Sequence, residues 1–129
     1  MFSAKQSKQR IGKLGEEKAC EFLKSKGYRI IERNYQKPWG EIDIIAITPD
    51  KTLVFFEVKT MRQFDDNLAD SLKPEDNLSE GKLRKIRRSA QMFSAKHSDL
   101  IREEKGWRID LLALTISKED FIISHYQNI

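Results

Sequence analysis

Residues 41–60 read EIDIIAITPDKTLVFFEVKT, and the reading of this stretch decides the fold. Two apolar runs, EIDIIAIT and TLVFFEVKT, are separated by Pro49-Asp50-Lys51, which is turn chemistry, so the segment reads as two antiparallel strands in a hairpin. A three-residue loop sets Thr48 opposite Thr52. Stepping back along both strands from that pair sets Asp43 opposite Glu57. Alternation then puts Lys59 on the face of Glu57. A two-residue loop would slip Asp43 out of register and onto the other face, so the turn decides which side chains meet.

The flanking sequence supplies the rest of the domain. Residues 11–26 carry Ile11, Leu14, Ala19, Phe22 and Leu23 on one helical stripe, with Gly27 as the C-terminal stop. YRIIERNY (28–35) reads as a strand leading into the hairpin. GKLRKIRRSAQMFSAKHSDLI (81–101) reads as a second helix, with Leu83, Ile86, Ala90, Phe93, His97 and Leu100 inward. WRIDLLALTI and FIISHY read as two closing strands around SKED. This order predicts an α/β domain: a mixed sheet of about five strands flanked by helices. A chain of 129 residues is the size of one domain, taken as 1–129. It carries a basic, flexible N-terminal arm over 1–10 and an acidic loop over about 62–80, where Asp65, Asp66, Asp70, Glu75 and Asp76 crowd together.

Composition narrows the classes. Hydrophobic residues at 39% and charged residues at 34% suit a soluble globular chain rather than a disordered one. No apolar run approaches the roughly 20 residues of a membrane helix, and the start lacks the apolar stretch of a secretory signal. One cysteine, Cys20, excludes an internal disulfide framework and fits a reducing compartment, so the expected location is the cytoplasm. The net charge of +4 is unevenly spread: residues 1–38 carry ten Lys/Arg against four Asp/Glu, 39–81 four against ten, and 82–129 ten against six. Basic flanks suit a polyanion such as nucleic acid, and an acidic middle suits either a cation or solvent.

Two carboxylates directly opposite each other have Cβ atoms roughly 4.5–5.5 Å apart, and they repel unless something positive lies between them. A divalent cation answers that requirement; Mg²⁺ takes a few carboxylate oxygens and keeps waters for chemistry, with Mn²⁺ as a substitute. A third acid comes from the first helix, where Glu16 falls at the rim of the apolar stripe beside Ala19 and Leu23, while Glu17 points away. Lys59 would position a water or offset developing negative charge. Three acids, one lysine and a basic helix together suggest metal-assisted phosphodiester hydrolysis.

GEIDIIA followed by FFEVKT, with GEEKACEFLKSKGYRIIERNY upstream and RIDLLAL downstream, resembles the YraN-like family of bacterial proteins over nearly the whole chain. The resemblance implies a restriction-endonuclease-like fold distantly related to archaeal Holliday junction resolvases. It also implies a Mg²⁺-dependent endonuclease acting on DNA, including branched or structured DNA, and working as a homodimer. It places the catalytic groups on Asp43, Glu57 and Lys59, and the metal ligands on Glu16, Asp43, Glu57 and the backbone carbonyl of Val58. The chain departs from the superfamily pattern at Ile42, where a proline precedes the first acid, at Met61, where relatives tend to place a basic residue sooner, and in the acidity of residues 64–80.

Lys82, Arg84, Lys85, Arg87 and Arg88 form the densest basic cluster, an outer arc that contacts phosphates or is simply solvated. Arg108 and Asp110, two apart in a strand, read as a structural ion pair. Glu41 shares the face of Asp43 if its strand starts there, and otherwise frays with Gly40. His97 reads as a packed core residue, and His125 lacks a partner at metal-ligand spacing. Trp39 either stacks on a base or caps a sheet edge. Two rival readings remain: a non-catalytic DNA-binding module, which predicts salt-dependent retention of DNA without cleavage, and a protein-interaction scaffold using the acidic loop.

Overall fold

The computed structural model describes residues 4–62, 78–117 and 120–129. The order is α1 (Ala4–Ser25), β1 (Arg29–Lys37), β2 (Gly40–Ile47), β3 (Leu53–Arg62), α2 (Glu80–Lys96), a 3-10 turn (Ser98–Leu100), β4 (Trp107–Ser117) and β5 (Asp120–Tyr126). The five strands form one sheet in sequence order. β1, β2 and β3 run antiparallel in turn, β3 and β4 are parallel with α2 in the crossover, and β5 returns antiparallel to β4. The result is the expected mixed α/β sheet. Residues 63–77 of the acidic stretch, and the first three residues of the basic arm, lie outside the described residues. α1 starts at Ala4 rather than at residue 11.

The helices cover opposite faces. On one, α1 buries Ala19, Cys20 and Leu23 against Ile44, Ala46, Val54, Phe56, Leu112 and Leu114. On the other, α2 buries Ile86, Ala90 and Phe93 against Tyr35, Ile42, Ile45, Phe55 and Ile109. Phe93 meets Phe55 and Tyr35 edge-on, with centroids 5.7 and 5.4 Å away, the geometry that ring quadrupoles favour. A Ser79 N-cap starts α2, its side chain accepting from Lys82 N–H. Two stripe residues differ from expectation. Leu14 is 40% exposed. His97 is exposed rather than packed in the core: α2 ends one residue earlier, and the imidazole stacks over Phe93 from outside. None of the described helices is long and apolar enough to cross a membrane.

The hairpin loop has three residues. Thr48 N–H donates to Thr52 O (2.9 Å) and Lys51 N–H to Thr48 O (2.9 Å), while Lys51 adopts φ 74°. This is a turn followed by a left-handed residue, the usual three-residue hairpin. Asp50 fastens it by accepting from the hydroxyls of Thr48 and Thr52, and these bonds hold its carboxyl down at about 2. Ile47↔Leu53 through Ile44↔Phe56 then pair in the register that this loop dictates.

Candidate active site

The β2–β3 ladder stops at Ile44↔Phe56, yet both strands continue. β2 stays paired to β1 as far as Gly40, and β3 stays paired to β4 as far as Arg62. The sheet therefore forks one step beyond Ile44 and Phe56, between Asp43 and Glu57. Alternation also breaks there, since Ile42 packs on the α2 face and Ile44 on the α1 face; opposite, on β1, Asn34 has φ 53°. The amide of Val58, which would otherwise continue the ladder, donates to Asp43 Oδ2 at 2.7 Å. A side chain has replaced a main-chain acceptor, which holds the Asp43 carboxylate in the mouth of the fork. In an extended strand the N–H and C=O of one residue point to the same neighbour, so the Val58 carbonyl faces Asp43 as well.

Glu57 arrives from the α2 side and is buried, 7% exposed. Glu16 arrives from the α1 side, half-buried, while Glu17 is exposed. What lets Glu16 reach is its neighbour: Gly15 packs against Thr60 so closely that a Cβ there would overlap Thr60 Oγ1 and its Cβ. A helix approaching β3 this tightly needs glycine. The charges of both glutamates act on Asp43. Burial and the neighbouring Glu57 charge push the Asp43 carboxyl up to about 7, against the Val58 amide, which pulls it down. Glu16 is raised too, by burial first, with the nearby Arg33 charge opposing. Three carboxyls thus crowd at one point, and a cation placed among them would relieve the repulsion. Lys59 lies two residues along β3 from Glu57, half-buried.

The basic cluster divides. Arg84, Lys85, Arg87 and Arg88 are exposed along α2, forming the arc expected of them. Lys82 instead turns back across the fork, its Nζ 2.5 Å from Glu57 Oε1. Sequence reading placed it among the phosphate contacts, and no local signal could have told otherwise, because the pair joins the first turn of a helix to a strand end by tertiary approach alone. Arg33, on β1, is the other charge that local reading missed. Beside Lys82 opens a pocket of about 850 Å³ between the β1–β2 turn and the start of α2, lined in part by Trp39, Glu41 and Lys85. Trp39 is half-buried with its indole N–H unpartnered.

Among the described residues, no group of three or more His, Cys, Asp and Glu side chains already stands in metal-binding geometry. The chemistry of the donors nevertheless fits a hard divalent cation: one buried and two half-buried carboxylates that converge, with the Val58 carbonyl turned to the same side. An ammonium now neutralises one of them.

Arg108 and Asp110 form the structural pair expected of them, Nε to Oδ1 at 3.0 Å. His125, read from the sequence only as lacking a partner at metal-ligand spacing, joins this pair: its Nε2 lies 2.8 Å from Asp110 Oδ2. Asn128 N–H also donates to Asp110 (2.9 Å). Burial alone would raise the wholly buried Asp110 carboxyl; the bonds from His125, Arg108 and Asn128 outweigh it and hold the group below its ordinary value. This cluster ties the C-terminal strand to the sheet.

A five-stranded mixed sheet between two helices, split at its centre around converging carboxylates, is an architecture consistent with the restriction-endonuclease-like fold. The chain belongs to a bacterial family: the model described as "Uncharacterised protein family UPF0102" matches residues 15–114, a span that includes Glu16, Asp43, Glu57, Lys59 and the basic arc of α2. Relatives that carry the UPF0102 name include a protein of Dictyoglomus turgidum, 37% identical over 114 residues (88% of this chain, 89% of the relative). Another, from Desulforamulus reducens, is 35% identical over 122 residues (92% and 93%). A third, from Thermotoga neapolitana, is 44% identical over 78 residues (60% and 65%).

Proposed function

We propose that the protein is a Mg²⁺-dependent endonuclease that hydrolyses phosphodiester bonds in DNA, with branched or structured DNA as its substrate class and the cytoplasm as its place of work. The observation that carries this reading is the fork: Asp43 and Glu57 meet where β2 and β3 part, with Glu16 delivered to the same point by a glycine contact. Asp43, Glu57, Glu16 and the Val58 carbonyl would hold the metal. When bound, it supplies charge to the phosphate and acidity to a water. Lys59, at the lip of the fork, orients the attacking water or offsets the charge that builds on the phosphate. The exposed arc of Arg84, Lys85, Arg87 and Arg88 gives affinity for backbone phosphates without sequence readout. Homodimerisation would let two such sites act on the two strands of a junction.

Incubation of the protein with branched DNA and Mg²⁺ or Mn²⁺ tests the reading. Cleavage is expected, and Asp43→Ala and Lys59→Ala are each expected to lower it by roughly 100-fold or more. Cleavage that survives both substitutions would sink the assignment. One observation favours a second reading. Lys82 already supplies Glu57 with a countercharge, as a metal-free DNA-binding module would require. That module retains DNA at low salt and leaves it uncut whichever divalent ion is supplied.

A further inference from the structure

The Lys82–Glu57 pair is lopsided. The Glu57 side chain is 8% exposed and the Lys82 side chain 48%. Glu57 is fixed in a strand and has nowhere else to go, whereas the lysine stem can swing without unfolding anything. Where it can swing is defined by the adjoining pocket. Lys82 lines that pocket together with Lys37, Trp39, Glu41, Ser79 and Lys85, so three lysines and one glutamate contribute to its wall. Its volume of about 850 Å³ falls in the range of ligand sites, which runs from about 300 to 1,000 Å³. At its base Gly40 presses on α2 so closely that a Cβ would lie 2.5 Å from the buried Ser89 Oγ and 3.4 Å from the Lys85 carbonyl oxygen. A cationic, nucleotide-sized hollow thus shares one wall residue with the carboxylates of the fork.

We propose that this pocket seats a backbone phosphate of the DNA strand next to the bond that is cut, and that Lys82 is exchanged between two anions, leaving Glu57 for that phosphate once Glu57 is engaged by a divalent cation. The inference rests on the nuclease reading above and adds a substrate subsite and a coupling to it. Metal and DNA then favour each other's binding by the same factor, because each removes the competitor of the other. Without metal, Lys82 is occupied and contributes nothing to DNA affinity; with metal, it adds one phosphate contact. Lys85 contributes in both conditions. It acts from the exposed side of the same wall.

The salt dependence of DNA binding separates these states, since each phosphate contact to duplex DNA adds about 0.9 to the slope of log K against log [salt]. The measurement is fluorescence anisotropy with a branched duplex, in a Lys59→Ala background that keeps the DNA intact. The slope difference between this parent and its Lys82→Gln derivative is expected to be about zero in EDTA and about one in Mn²⁺. Lys82→Arg, which keeps the charge and guards against a folding artefact, should behave as the parent. Lys85→Ala should lower the slope by about one in both buffers. The same difference for Lys82→Gln in EDTA and in Mn²⁺, or no effect of Lys85→Ala, overturns the inference. If those null results accompany cleavage by the wild-type protein, the nuclease reading stands and this inference falls. The Mn²⁺-dependent increment without any cleavage has the opposite meaning.

Discussion

Replacing Asp43 with asparagine should make the metal-free protein more stable, and by an amount that depends on pH. The carboxyl titrates near 7 in the folded chain against 3.8 for an ordinary aspartate, because it is buried beside Glu57. Between those values the unfolded chain has released the proton that the folded chain retains, so wild-type stability falls as pH rises from about 4 to about 7 and then levels. The gap is equivalent to about 4 kcal/mol at 1.36 kcal/mol per pH unit. Asparagine is nearly isosteric and keeps an oxygen to accept the Val58 amide, yet carries no charge. Urea unfolding in EDTA is therefore expected to show Asp43→Asn more stable than wild type by about 2–4 kcal/mol at pH 8, with the difference shrinking towards zero at pH 4. Millimolar Mg²⁺ should reverse the order by stabilising only the wild type. A variant no more stable than wild type at pH 8, or a gain equal at both pH values, would refute the crowding argument.

Other consequences are testable in the same way. Gly15→Val must push α1 off Thr60; it should destabilise the fold by about 1–3 kcal/mol and, in thermal shift assays, abolish added stability from Mg²⁺ by withdrawing Glu16. Lys51→Gly removes the cost of a left-handed lysine and should gain about 0.5–1 kcal/mol in chemical denaturation. His125→Ala leaves the buried Asp110 carboxylate short of one partner and should cost about 1–3 kcal/mol at pH 7. Because Asp110 is held below its ordinary value, its contribution is present above the usual aspartate range and is lost as pH falls through the folded value; acid titration of Asp110→Asn by circular dichroism should lack that step.

The fold was legible where local chemistry and hydrophobic period agree. Pro49-Asp50-Lys51 specified its own turn length through the threonines at either end, and that fixed the register of the hairpin. The distinction between Glu16 and Glu17 followed from helical phase, and the structure shows the same contrast in exposure. Other features depended on tertiary approach and left no local trace. The fork is a failure of two strands to stay paired, decided by their other neighbours, β1 and β4. Lys82 looked like any member of a basic run until α2 was docked. His125 and Asp110 are brought together by the β4–β5 pairing, in which Leu112 faces His125. Leu14 and His97 fall on the apolar stripes by helical phase, yet both are exposed, His97 because α2 has ended, so period alone overstated the core.

The most direct test is a crystal of the protein soaked in Mn²⁺ and measured for anomalous scattering. The account predicts a peak in the fork, within about 2–2.3 Å of oxygens from both Asp43 and Glu57, with the Lys82 ammonium displaced from Glu57. An empty fork with Lys82 still seated on Glu57 at saturating Mn²⁺ would contradict it.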